Sequence, residues 1–468
     1  MPARFMVAAT ASGSGKTTIT CALLAALQDM GNKVISYKCG PDYIDPMFHR
    51  KTTGVESRNL DLFLMREQGV RFAIQQSGTG FDIAVLEGVM GLYDGQGNTS
   101  FASSNHLSVL TGTPVVLVVN ARGMARSVCA LIAGFMGFER NNIKAVILNN
   151  IRESSFAYYK QMIERELKLP VIGYMPTVQG AGIESRHLGL VTAQEIQDIQ
   201  QRIDALKNQA LSSIDFEALV AIAESASGTD GEEGLEELEE LGLQFTDAYE
   251  MARPSPPKIY VANDEAFCFF YSDNHDLLAA LGAELVNFSP LHDSSLPDDA
   301  DGVILWGGYP ELHAAALESN LSMRQSLANA IEHGLPVYAE CGGFMYLQQG
   351  LTDQDGFKHR MLGVLPGNTH MTDRLQDFGY FEITAQTDNL LCRAGEKINA
   401  HFFHHSVSDY EGDGFVATKR DGKTMRCIVA EDNIFAGYQH LHFYGNPSFA
   451  VSFVKACDAY REAHHGAD

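Results

Sequence analysis

A glycine-rich loop wedged between an apolar strand and a helix, ATASGSGKTTIT (9–20), leaves this chain few folds to choose from. The run before it, RFMVAAT (4–10), reads as a strand, and KTTITCALLAALQDMG (16–31) reads as a helix stopped by Gly31. In that setting backbone N–H groups and a helix N-terminus cradle phosphates. Ser12, Gly13, Ser14, Gly15, Lys16, Thr17 and Thr18 are therefore candidate ATP ligands, with Lys16 reaching the β/γ-phosphates and the Thr17 hydroxyl sitting on Mg²⁺. Thr10 stands where the full GxxxxGK[ST] pattern has its first glycine. The bland alternative is a glycine-rich turn with an exposed lysine.

Further apolar runs follow: KVISYK (33–38), FDIAVLEG (81–88), TPVVLVVNA (113–121) and IKAVILNN (143–150). Solid runs of this kind, separated by helical segments, predict a doubly wound parallel sheet covered on both faces. Ligands of such sheets bind at the C-terminal strand edge. Glu87 ends one strand there, and Asp94 lies just beyond. KCGPDYIDP (38–46) adds Lys38, Asp42 and Asp45 near the same edge. Thr17 and one or two of these carboxylates are candidates for the metal partners a P-loop needs. Asp beside Gly or Pro also caps turns, which is the competing reading of Asp42 and Asp45. Asn149 or Asn150 is placed to read an adenine edge or to form a turn.

With 468 residues, two or three domains of about 100–200 residues are expected. A net charge of −24 disfavours nucleic acid and anionic membrane surfaces as partners. No run approaches the ~20 apolar residues of a spanning helix, and the N-terminus does not read as a signal peptide. The eight cysteines are scattered without a CxxC pair, which argues against a disulfide framework and points to the cytoplasm. SASGTDGEEGLEELEELG and ARPSPPK mark an acidic, proline-rich linker at 226–256, between domains at 1–225 and 257–468. A second α/β pattern then begins with KIYVAN (258–263), AELVNFSP (283–290), GVILWGG (302–308) and LPVYAEC (335–341).

That last run ends at a thiol followed by two glycines. Cys341 sits as a nucleophile does at a strand-to-helix elbow, where small residues let a strained turn expose the side chain. A packed structural cysteine is the alternative. A nucleophile needs a base, and AGYQHLHFYGNP (436–447) offers His440 and His442. Gly307 and Gly308 of WGGYPE, with Gly342, are candidates for an oxyanion hole.

SGSGKTT, YKCGPDYIDPMFH, NLDLFL, LEGVMGLYDG, SRHLGL, DEAFCFFY, FSPLHD, WGGYPE and YAECGGFMYL occur in one order over nearly the whole chain. In this the sequence resembles the cobyrinic acid a,c-diamide synthase family. The resemblance implies a dethiobiotin synthetase-like domain followed by a class I glutamine amidotransferase domain of the cobyric acid synthase type. It implies ATP- and glutamine-dependent amidation of two corrin carboxylates, with ATP, glutamine or ammonia, and cobyrinic acid as small-molecule substrates and Mg²⁺ as cofactor. It implies a monomer or homodimer. Carried over by position, Thr17, Asp45 and Glu87 are the expected Mg²⁺ ligands, Asp42, Asp45 and Asp94 the expected substrate-site acids, Cys341 the glutaminase nucleophile and His440 its histidine. Class I amidotransferases complete a triad with Glu two residues past the histidine; here that position is His442, so a dyad or a substitute orienting group is implied. NAHFFHHS (399–406) also departs from the family pattern, with Phe402 where Glu is usual. His401 and His404 either line the site or fill the core. The alternatives are the same chemistry on hydrogenobyrinic acid or nickel sirohydrochlorin, and a P-loop regulatory ATPase with a degenerate amidotransferase domain.

Overall fold

The computed structural model describes residues 1–178, 193–227 and 255–465. SRHLGL and most of the expected linker lie outside these. The chain forms two compact units, Met1–Leu62 with Glu67–Leu235, and Phe63–Arg66 with Glu236–Asp468.

The first unit is built on a seven-stranded sheet. Its strands are β1 (Ala3–Ala9), β2 (Val34–Cys39), β3 (Glu56–Leu60), β4 (Ile83–Glu87), β5 (Val115–Asn120), β6 (Ile143–Asn149) and β7 (Val171–Met175). They lie in the order β3-β2-β4-β1-β5-β6-β7, and every pairing is parallel. The apolar runs read from sequence are these strands, trimmed at their ends. β3 and β7 carry weaker signals: ESRNL hides two buried polar side chains, Ser57 and Asn59, in a strand with little apolar content. Helix α1 (Lys16–Asp29) buries Ile19, Leu23, Leu24 and Leu27 against the sheet. Its N-cap is Gly15 at φ 93°, a backbone conformation a side chain would oppose, and Gly31 at φ 91° follows its end. Helix α2 (Ile44–Thr53) ends at Gly54 in the left-handed region. Because β1 lies between β4 and β5, the loop after β1 opens at the point where the strand order reverses.

The second unit holds two sheets. Strands β8 (Lys258–Ala262), β9 (Glu284–Phe288), β10 (Gly302–Leu305) and β11 (Val337–Glu340) are parallel. A mostly antiparallel set follows, with β12 parallel to β14: β12 (Gly350–Thr352), β13 (Lys358–Arg360), β14 (Asn368–Ala385), β15 (Lys397–Ser408), β16 (Phe415–Thr418) and β17 (Thr424–Cys427). The chain then returns to the parallel sheet as β18 (Val429–Ala430) and β19 (Ile434–Gly437), and leaves it again as β20 (Gln439–Leu441). The parallel sheet reads β18-β19-β11-β10-β8-β9, with β18 antiparallel at the edge. β20 pairs with β15 in the other sheet, so the step from β19 to β20 joins the two.

Buried aromatic rings floor this junction. Trp306 meets Tyr338 edge-on at 5.6 Å between centroids, and Tyr338 stacks on Phe435 at 5.4 Å. Such pairs add roughly 0.5–1.5 kcal/mol each beyond area burial. They also fix Tyr338, whose hydroxyl reaches the end of its own strand.

Candidate active sites

In the first unit the parallel register sets the charges. Lys38 on β2 lies directly beside Glu87 on β4, at the C-terminal edge. Lys38 Nζ is 3.0 Å from Glu87 Oε1 and also pairs with Asp45, which opens α2. The Thr17 hydroxyl donates to Glu87 Oε1 at 2.6 Å, and His49 Nε2 lies 3.0 Å from Glu87 Oε2. His49 Nδ1 is 3.1 Å from Ser36 Oγ. Burial pushes the Glu87 carboxyl up, but Lys38, His49 and Thr17 outweigh it and hold the group below the usual carboxylate range. Asp45 goes the other way: burial, then the Glu87 charge, raise it. Lys16 is buried, with its ammonium on the carbonyl of Met90. Burial and the nearby Lys38 lower its pKa.

A lysine cation thus stands between two carboxylates, one of which a hydroxyl also approaches. Two carboxylates and a hydroxyl are hard oxygen donors of the kind Mg²⁺ takes, and the point where they converge already accommodates positive charge. The expected set Thr17, Asp45 and Glu87 fits the ion on that ground. Among the described residues no group of three or more His, Cys, Asp or Glu could hold a metal ion.

The remaining expected residues scatter in role. Asp42 Oδ1 accepts the Ile44 N–H at 2.8 Å, so its carboxylate caps α2. Asp94 is exposed and accepts the Gly91 N–H at 2.7 Å. The Asn149 amide donates to Ser14 O at 2.8 Å. That side chain braces the loop from behind, so close that a Cβ on Gly15 would collide with it. Asn150 accepts the Thr177 hydroxyl at 3.2 Å.

In the second unit β11 ends at Glu340, and Cys341 follows at φ 45°, ψ −100°. This is a strained setting for a residue with a side chain. The helix Gly342–Leu347 starts directly afterwards. A Cβ on Gly343 would strike the Leu305 carbonyl oxygen, so only glycine lets that helix sit against β10. Gly307 lies against both partners: a Cβ there would be 2.8 Å from His440 Cε1 and 3.6 Å from Cys341 Cβ. The Gly308 nitrogen is 3.1 Å from where a Cβ of Gly342 would stand. Gly307, Gly308 and Gly342 therefore wall the space around the thiol.

His440 is buried at 2% exposure and lies with Cys341 against Gly307. Its Nδ1 is 3.1 Å from Glu340 Oε2. Burial alone would lower the imidazole; Cys341 and Glu340 reverse this and push it up to about 10. Glu311, from WGGYPE, is half-buried, and burial pushes its carboxyl up to about 7.

Two family models match the chain. Residues 5–190 match the CobQ/CobB/MinD/ParA nucleotide binding domain, and residues 258–448 match the CobB/CobQ-like glutamine amidotransferase domain. Cobyrinate a,c-diamide synthase of Clostridium tetani is 40% identical over 456 residues, covering 96% of this chain and 98% of that protein. The chain belongs to the cobyrinate a,c-diamide synthase family. The synthase of that name from Thermoplasma volcanium is 37% identical, covering 98% of each chain. Among solved structures, PurLQS from Thermotoga maritima matches 44% of this chain and 99% of its own at 19% identity, with a TM-score of 0.33.

Within this member of the cobyrinate a,c-diamide synthase family, the structure joins Cys341, His440 and the three glycines, and separates His442 from them. His442 accepts the Tyr444 N–H at 3.3 Å through Nδ1, and its Nε2 is 3.8 Å from Asp273. His401 lies across from His440 in the β15–β20 register, and His404 stacks on Tyr438 at 3.7 Å. Burial lowers their pKa values to about 3 and about 4. Phe402 is core, packed on Phe381. Sequence reasoning gave no role to Glu340 or His49. Each sits inside a quoted motif, but neither has the spacing that marks an acid or a ligand.

Proposed function

We propose that this chain makes cobyrinic acid a,c-diamide in cobalamin biosynthesis, by ATP- and glutamine-dependent amidation of the a and c side-chain carboxylates. The observation that carries the reading is the match, over nearly the full length of both chains, to proteins named cobyrinate a,c-diamide synthase. The chemistry of the two sites supports it. In the second unit the Cys341 thiol passes its proton to His440, and sulfur attacks the glutamine amide carbon. Backbone N–H groups around Gly307, Gly308 and Gly342 receive the oxyanion. On collapse the C–N bond breaks, and His440 returns the proton to the departing nitrogen, releasing ammonia. Water then hydrolyses the glutamyl thioester and frees the thiol.

The first unit prepares the acceptor. A carboxylate is a poor acyl donor because its leaving group would be oxide. Phosphorylation by ATP makes phosphate the leaving group, and ammonia displaces it. Lys16 neutralises charge on the transferred phosphoryl group, and Ser12–Thr18 cradle the phosphates. Thr17, Asp45 and Glu87 would hold Mg²⁺, which when bound supplies positive charge to the phosphates. The enzyme is placed in the cytoplasm as a monomer or homodimer, with no nucleic-acid or membrane partner. No described helix is long and apolar enough to cross a membrane.

Mass spectrometry of the product from cobyrinic acid, ATP, Mg²⁺ and glutamine tests the reading. Two successive replacements of hydroxyl by amino are expected. Turnover only on hydrogenobyrinic acid or nickel sirohydrochlorin would reassign the substrate. Cys341→Ala should abolish glutamine-dependent synthesis and spare ammonia-dependent synthesis. Lys16→Ala should remove both, lowering turnover by roughly 100-fold or more.

A further inference from the structure

We infer that Glu340, the residue immediately before the nucleophile, is the carboxylate that orients and charges His440. The inference rests on the reading of Cys341 and His440 as the glutaminase pair.

Four observations carry it. Glu340 is 1% exposed, and among the described residues no Lys or Arg pairs with it. A carboxylate so buried is costly unless partners satisfy it. Its partners are specific: Oε2 faces His440 Nδ1 at 3.1 Å, while Oε1 accepts the Leu441 N–H at 2.9 Å and the Tyr338 hydroxyl. Three donors therefore hold one carboxylate in one orientation, and one of them belongs to the residue next to His440. Second, a carboxylate on Nδ1 keeps the proton there and leaves Nε2 to work on the thiol, and it favours the imidazolium that forms. Third, the position two residues past His440 cannot serve, because His442 is engaged with Tyr444 and Asp273.

The fourth observation is backbone geometry. Along an extended strand, neighbouring side chains point to opposite faces. Glu340 and Cys341 are neighbours, yet Glu340 bonds to His440 and Cys341 lies with that imidazole against Gly307. The positive φ at Cys341 breaks the alternation and turns the two side chains toward one imidazole. One strand end thus supplies both nucleophile and carboxylate, and the acid usually found after the histidine is replaced by one before the cysteine.

The test compares Glu340→Gln, which keeps shape and loses charge, with Glu340→Asp, which keeps charge and loses a methylene. An orienting charge predicts a glutaminase kcat down by roughly 100- to 10,000-fold in Glu340→Gln. It predicts at least tenfold recovery in Glu340→Asp, KM for glutamine within about threefold, and ammonia-dependent synthesis retained. The pH profile of Cys341 alkylation by iodoacetamide should shift in Glu340→Gln and return toward wild type in Glu340→Asp. A packing role predicts the reverse order, with the isosteric Gln the more active variant, and that order would overturn the inference. So would glutaminase activity surviving in Glu340→Gln but lost in His442→Asn. If Cys341→Ala retains glutaminase, the underlying reading fails instead, separately from this one.

Discussion

At the residue scale, charge placement in this molecule is decided by burial set against partners. His440 and Glu311 both carry raised pKa values for different reasons. His440 is raised by its partners against burial, so its contribution to stability is full below the unfolded histidine value of ~6.5 and is lost as pH rises through about 10. Glu311 is raised by burial alone, so the folded state favours its neutral acid. Stability from that group is highest below the ordinary value of ~4.3 and falls as pH rises through about 7. Glu311→Gln should therefore be more stable than wild type above pH ~7, by on the order of 1–2 kcal/mol after allowing for water near the group, with the gap closing in acid. Urea midpoints at several pH values check this. A gap independent of pH would mean the carboxyl is not strained by burial.

At the scale of elements, the elbow and the P-loop rest on the same device, a strand ending in residues that tolerate unusual backbone. Gly343→Ala would drive a methyl group into the Leu305 carbonyl. The substitution should cost roughly 1–3 kcal/mol and depress glutaminase more than ammonia-dependent synthesis, as steady-state assays with the two nitrogen donors will show. These two junctions were legible in the sequence because strand, glycine and reactive side chain lie side by side in it. The parallel strands were legible for a related reason, since sheets covered on both faces need unbroken apolar runs. The antiparallel sheet was not. β14, NTHMTDRLQDFGYFEITA, shifts register against β15 between Met371 and Gln376 and again before Gly379, so a period-two pattern survives only in its last stretch, Tyr380 to Ala385. Glu340 was illegible as a functional acid because its role depends on a fold in the backbone at the next residue.

At the scale of the whole molecule, each unit has its own apolar core, one drawn from residues Phe5 to Ala223 and one from Ile259 to Cys457. Two cores predict two unfolding transitions in calorimetry. ADP with Mg²⁺ at 100 times its dissociation constant should stabilise the transition of the first unit by ~2.7 kcal/mol. Equal shifts of both transitions would refute separate cores. The net charge of −24 sets the buried cations Lys16 and Lys38 of the first unit against an acidic background.

The pairing of Glu340 with His440 also sets an order of events during folding. The two residues are 100 positions apart, and the antiparallel strands β12 to β17 lie between them. Closing a loop of that length is an entropic cost met before any contact across it is gained. Until β19 settles beside β11, the thiol has neither its base nor its carboxylate partner fixed. On the proposed roles of Cys341 and His440, a chain still being synthesised or only half folded holds an inert cysteine, and ammonia release begins only once the strands that position the histidine are in place.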